Sequence, residues 1–323
     1  MQALRPSLGP TAARPEQVDA ETFGVKAIAQ LSHKLCNELE TDKPGFQSEC
    51  AIPEVVAFDI GEANMFSALL NRLCHWVPLD AADIAEICNL QGEVRTADRG
   101  QFLTSNIRPG SAIIVIDCWG ARTKDAPSGR RIITEFLLPG ELHVIDEFTS
   151  RTAATMALSK GRVLVIVPSA YQKLSANPKI RDALLWLNAV RHSTNSEWLV
   201  NIASRKAHQR LAHLLCELSV RLNGAGLLRD GVSEMPLTQT DLAAALAMSN
   251  VHLNIALQRL RIGGAVDLRD KHLVIRNREE LDAIACFDDS YLLRWPTRLR
   301  DRRNLWSNGR GDKDRRRSQP DML

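Results

Sequence analysis

The chain has 323 residues, 45% hydrophobic and 24% charged, with a formal net charge of +3, which is ordinary globular composition with room for two domains and tails and does not by itself mark a nucleic-acid binder. Its most apolar windows, residues 112–119 and 163–167, are strand-length and far short of the roughly 20 residues of a membrane helix. The first residues carry Arg5, Pro6, Pro10, Arg14 and Pro15 with no apolar run behind them, so no secretory or Tat-type signal is visible and a cytoplasmic chain with no membrane partner is expected.

Residues 1–64 mix Pro, Ala, Glu and Asp around one helical stretch, 25–39, and read as a partly disordered N-terminal extension. The spacing of Met65, Leu69, Leu70 and Leu73 predicts a short helix, and residues 80–88 predict a second. The periodicity then changes. Residues 100–103, 112–119, 132–138, 155–158 and 162–167 are rich in β-formers, with turns at Pro109-Gly110, Pro127-Ser128-Gly129, Pro139-Gly140 and Lys160-Gly161 between them. Short strands at this density, without β-α-β alternation, predict an α+β chain whose residues 65–177 form an antiparallel β-roll of the jelly-roll or double-stranded β-helix kind.

Residues 178–223 predict one long helix. Ile180, Leu184, Leu187 and Val190 open an apolar stripe that runs through Leu199, Ile202, Leu211, Leu214, Leu215 and Leu218 to Leu222, and Asn223-Gly224 ends it. A helix beyond about 25 residues usually needs a partner along its length, so pairing with a second copy as a homodimer is expected. The alternative is a helix pair broken near Ser193 to Asn195 and packed on its own roll.

Residues 224–292 carry the most specific pattern. Thr238-Gln239-Thr240-Asp241 ahead of Leu242, Ala245 and Leu246 is a capping box that opens a helix of two turns. Ala247-Met248 makes a tight turn, and Ser249 caps a second helix that buries Leu253, Ala256, Leu257 and Leu260 and stops at Gly263-Gly264. Two strands around Arg269-Asp270-Lys271 follow as a wing. Such a unit presents its second helix to a major groove about 12 Å wide.

The run PLTQTDLAAALAMSNVHLNIALQRLRIGGAVDLRDKHLVI, with ELDAIACFDDSYL behind it, resembles the winged helix-turn-helix of the Crp/Fnr family of transcription regulators. SEWLVNIASRKAHQRLAHLLCELSVRL is similar to that family's dimer helix, and the segment around FLLPGE to its cyclic-nucleotide-binding-like roll. The resemblance implies a dimer reading a palindrome in double-stranded DNA through two recognition helices about 34 Å apart, with RNA polymerase as a further partner. It places Thr238, Gln239, Ser249, Asn250, Val251, His252, Asn254 and Ile255 at the duplex, with Arg259, Arg261 and Lys271 as phosphate contacts or merely solvated charges. Two departures stand out: Ile255 where the family usually carries Arg, and Ala247 where it carries Gly. Losing the Arg removes a bidentate contact of roughly 1–3 kcal/mol, but Asn can still bond adenine and Val or Ile can touch a thymine methyl. The alternative is a ligand- or partner-sensing module whose helix-turn-helix is degenerate and binds DNA weakly or not at all.

In the roll, Gly140-Glu141-Leu142 followed by Arg151-Thr152-Ala153 resembles the phosphate cassette of the family's cyclic-AMP binders. By that resemblance Glu141 takes the ribose, Arg151 and Thr152 the phosphate, and Ser196 lies near the base. His143 stands where the cassette prefers a small residue, and Glu141 with Arg151 would otherwise form a surface ion pair of little weight. Iron-sulfur sensing, found in one branch of the family, relies on a tight N-terminal cysteine cluster, whereas Cys36 and Cys50 stand alone. No C-x-x-C pair and no histidine grouping offers a metal site, His208 and His213 being about 140° apart on a helix. No G-x-S-x-G, P-loop, H-E-x-x-H or Rossmann fingerprint argues for an enzyme. The basic tail, residues 293–323 with Trp295 and Trp306, adds nonspecific phosphate affinity or serves only as a solvating tail.

Overall fold

Two short helices, α1 (Ser67–Trp76) and α2 (Ala81–Cys88), lead into the roll. Asp80 starts α2 with a reciprocal cap, accepting from the Ala82 and Asp83 amides while Asp83 accepts from the Asp80 amide. The computed structural model describes residues 65–147 and 153–292. The expected helix over 25–39, Cys36 and Cys50, the cassette residues Arg151 and Thr152, and the basic tail lie outside the described residues.

The roll is built from β1 (Glu93–Ala97), β2 (Ala112–Val115), β3 (Gly120–Asp125), β4 (Arg131–Leu137), β5 (Leu142–Val144), β6 (Ala154–Ala157) and β7 (Gly161–Ile166). One antiparallel sheet has the order β1-β7-β2-β5 and the other β4-β3-β6. The side chains of β2 alternate between two cores. Ile113 and Val115 point between the sheets with Leu137, Val163 and Val165, whereas Ala112 and Ile114 face Leu69 and Leu73 of α1 and the helix that follows the roll. A strand covered on both faces reads as a continuous apolar run, which is why this one is plain in the sequence.

That following helix is not the single rod expected over residues 178–223. After α3 (Pro168–Ala176), α4 (Pro178–Ser204) ends and α5 (Ala207–Gly224) begins anew. Arg205 and Lys206 are extended, the Arg205 amide closes α4 on the Asn201 carbonyl, and the Gln209 side chain accepts from the Lys206 amide to open α5. The apolar stripe therefore serves two packings. Ile180, Ala183 and Leu184 of α4 cover the roll, whereas Leu211, Leu214, Leu215 and Leu218 of α5 form the core of the C-terminal module. The segment from Ser193 to Asn195, the alternative site for a break, is continuous helix.

The C-terminal module adds α6 (Gln239–Ala245), α7 (Asn250–Ile262), α8 (Arg278–Ala285) and a three-stranded antiparallel sheet. In that sheet, β10 (His272–Ile275) lies between β8 (Val232–Glu234) and β9 (Val266–Arg269). Leu242, Leu253, Leu257, Leu273 and Leu281 close its core against α5.

Candidate nucleic-acid interface

The helix-turn-helix is fixed locally by its caps. Thr238 Oγ1 accepts from the Asp241 amide at 3.2 Å, and Asp241 Oδ2 accepts from the Thr238 amide at 2.7 Å. Ser249 Oγ accepts from the His252 amide to start α7, and Gly263 with left-handed Gly264 stops it. Leu253, Ala256, Leu257 and Leu260 are buried, while Asn250, Val251, His252, Asn254, Ile255 and Arg259 are exposed on the opposite side. Thr238 and Gln239 are exposed at the start of α6. Ala247, in the turn, has φ +52°, a left-handed conformation costing an L-residue roughly 1–2 kcal/mol.

The wing turns on Asp270 and Lys271, both at positive φ, so that Lys271 stands exposed at its tip. Arg261, read above as a candidate phosphate contact, is turned inward instead. It donates to the Leu268 carbonyl and faces Asp267 at 3.5 Å, and this carboxylate also gathers Arg269 at 3.0 Å and Arg276 at 3.5 Å.

Two roll arginines absent from the sequence-based set hold this unit in place. Arg99 donates to Asp241 at 2.6 Å and to Thr238 Oγ1 at 3.3 Å, and also reaches the Leu158 carbonyl. Arg130, beside the β3–β4 turn, donates to the Ala243 carbonyl at 3.2 Å and to the Met248 carbonyl. Their partners in the helix-turn-helix lie more than a hundred residues away, so no local sequence signal identifies them.

The roll residues expected at a nucleotide are engaged differently. Gly140, at φ +80°, lies so close to α1 that an added Cβ would sit 2.4 Å from the Ala68 carbonyl carbon. Glu141 is buried between two arginines, Arg72 at 3.4 Å and Arg221 at 2.8 Å. Burial would raise its carboxyl, but the charges of Arg221 and Arg72 outweigh this and hold it below the ordinary value. It is thus held by Arg72 and Arg221 rather than standing as a free acceptor for a ribose hydroxyl. Ser196 is exposed on α4 and donates to the His192 carbonyl. His143 is buried, and burial followed by the charges of Arg191 and Arg122 pushes its imidazole down to about 3. Those two arginines share Glu135, at 2.6 Å from Arg191 and 3.5 Å from Arg122. Among the described residues no cluster of three His, Cys, Asp or Glu is arranged to hold a metal, and no helix is long and apolar enough to cross a membrane.

Residues 209–284 match the model of the Crp-like helix-turn-helix domain. Electron transport regulator A of Shewanella oneidensis is 21% identical over 222 residues, 67% of this chain and 88% of that protein. The anaerobic regulatory protein of Haemophilus influenzae is 26% identical over 214 residues, 64% of this chain and 82% of that protein. The fold is similar to that of FixK2 from Bradyrhizobium japonicum, with a TM-score of 0.54 at 20% identity, covering 62% of this chain and all of that one.

Proposed function

We propose, from the premise that this chain is a transcription regulator of the Crp/Fnr type with a Crp-like helix-turn-helix over residues 209–284, that two copies pair along α4 and lay their α7 helices into successive major grooves of a palindromic site. One observation carries the reading: α7 buries Leu253, Ala256, Leu257 and Leu260 and leaves Asn250, Val251, His252, Asn254 and Ile255 to solvent. Exposed Arg259 and Lys271 flank that face and supply phosphate contacts. Leu185, Trp186, Leu199 and Val200 give α4 an exposed apolar face for the second protomer.

Regulators of this type respond to small-molecule effectors or cofactors, and the signal here enters through the roll. Cyclic AMP, the ligand implied by the cassette resemblance, would have to displace Arg72 or Arg221 from Glu141. Glu141 therefore couples the roll to the C-terminal module, and any effector is held by other roll groups. The regulator acts in the cytoplasm with RNA polymerase as its downstream partner.

The test is selection from random duplexes, with and without cyclic AMP. A palindromic word with half-sites about 10 base pairs apart is expected, bound less tightly as salt rises and unaffected by the nucleotide. Enrichment of no word sinks the reading. A sensing module with a degenerate helix-turn-helix is favoured by Ile255 alone. In that case Ile255→Arg creates DNA affinity where the unmodified protein has none.

A further inference from the structure

The solvent-facing side of α7 carries large apolar side chains. Val251 and Ile255 are 67% and 62% exposed, four residues apart and so one turn apart on one face. Polar groups of the same turn are drawn back onto the protein. Ser249 Oγ receives the His252 amide at 3.2 Å and lies 3.0 Å from Nδ1 of the same histidine, and Asn250 donates to Thr240 Oγ1 at 3.5 Å. Scattered surface aliphatics need no explanation, but this pair lies on the face of α7 offered to DNA, with exposed Arg259 one turn further along the helix.

The apolar group that a base pair displays in the major groove is the methyl at C5 of thymine. We propose that Val251 and Ile255 are specificity-determining residues that read pyrimidine C5 methyl groups, making this regulator selective for thymine, and by the same chemistry tolerant of 5-methylcytosine, at defined positions of each half-site. The inference rests on the DNA-reading role above and names what is read. Four residues of helix rise about 6 Å, close to two base-pair steps of about 3.4 Å, so the two side chains span methyl groups up to two steps apart. Asn254, exposed between them, offers the amide that pairs with the adenine edge of the same A·T pairs.

The experiment uses the full chain and the duplex word it selects, with each thymine replaced in turn by deoxyuridine, which removes only the methyl. One or two positions per half-site are expected to lose about four-fold in affinity each, the worth of one methyl taken out of water. Val251→Ser and Ile255→Ser, both on the surface and expected to unfold at the wild-type temperature, should each bind more weakly and lose the sensitivity at one of those positions. If a word is selected and every deoxyuridine duplex binds within two-fold of its parent, the methyl-reading proposal is overturned while DNA reading stands. If no word is selected, both fall together.

Discussion

Glu141 of the roll and Arg221 of α5 meet at 2.8 Å across the seam between the two halves of the chain, and both are nearly sealed from water. Arg221 also holds Glu217 at 3.0 Å, whose other oxygen accepts from the Trp198 indole at 2.7 Å. Roll, α4 and C-terminal module therefore share one buried chain of charges. Such a chain adds little net stability over an apolar equivalent, but it penalises any arrangement that separates its members.

Removing one member strands the others. Glu141→Ala is expected to destabilise the protein by about 3–5 kcal/mol, because Arg72 and Arg221 are left buried with reduced compensation. Urea unfolding measures it directly, and a loss below about 1 kcal/mol would mean that water reaches the pair. Cyclic AMP should leave the wild-type melting temperature unchanged.

Acid should weaken the fold through its buried histidines. His213 packs between Phe287 and Tyr291. Burial, then Arg205, pushes it down to about 4, although Glu197 lies 3.3 Å away without hydrogen-bond geometry. Between its ordinary value of 6.5 and 4 the unfolded chain binds a proton that the folded chain refuses, so stability falls as pH drops through that window. His143 adds the same slope down to about 3. His213→Phe keeps an aromatic ring in the stack and should flatten the curve. Identical pH slopes for variant and wild type would exclude His213 as a contributor.

The α4 face makes a hydrodynamic prediction. Leu199 is 72% exposed, on the same helix as exposed Leu185 and Val200. Leu199→Glu should convert a dimer to a monomer in sedimentation equilibrium, with each monomer still folded because Leu199 contributes little to its own core. A wild-type chain that sediments as a monomer at micromolar concentration refutes the pairing.

Parts of this molecule were legible in sequence where one physical rule governs one short segment. The caps at Thr238 and Ser249, the buried spacing of Leu253 to Leu260 and the Gly263 stop are all local, and each stands where that reading puts it. Strands β1, β3 and β5 escaped because GARTKD and EVRTA carry charges on an exposed edge or face and LHV is only three residues long. The break at Arg205-Lys206 does leave a trace in the periodicity: Leu211 follows Ile202 by nine residues, about half a turn out of phase, so the stripe changes face where its partner changes. The ion pairs of Glu141 escaped sequence reasoning because its partners, Arg72 and Arg221, come from elements that only the tertiary fold brings to it.

Ala247 offers a stabilising substitution. At φ +52° its Cβ is disfavoured, and the side chain is exposed, so Ala247→Gly removes strain without opening a cavity. A gain of roughly 0.5–1 kcal/mol in urea unfolding is expected after the greater backbone freedom of glycine in the unfolded chain is subtracted. A loss of stability would show that the turn imposes no strain on alanine.

Arg99 and Arg130 set the attitude of the reading helix rather than its fold. Arg99 holds the N-cap pair Thr238 and Asp241, and Arg130 holds the carbonyl of Met248 immediately before the Ser249 cap of α7. Arg99 is 42% exposed, so its ion pair is worth at most about 1 kcal/mol and the melting temperature of Arg99→Ala/Arg130→Ala should fall only slightly. Binding is a different matter, because a module loosened from the roll must be reoriented before both halves of a palindrome can be read. Affinity for the selected word should drop at least about ten-fold, within the range of ordinary coupling energies, while affinity for a scrambled duplex, set by phosphate contacts, should change about two-fold or less. One nitrogen of Arg130, Nη2, donates to both carbonyls, so Arg130→Lys, whose ammonium carries three donors, should restore part of the word-specific affinity that Arg130→Ala loses. A parallel loss for both duplexes would instead identify the two arginines as phosphate contacts and remove them from the positioning role.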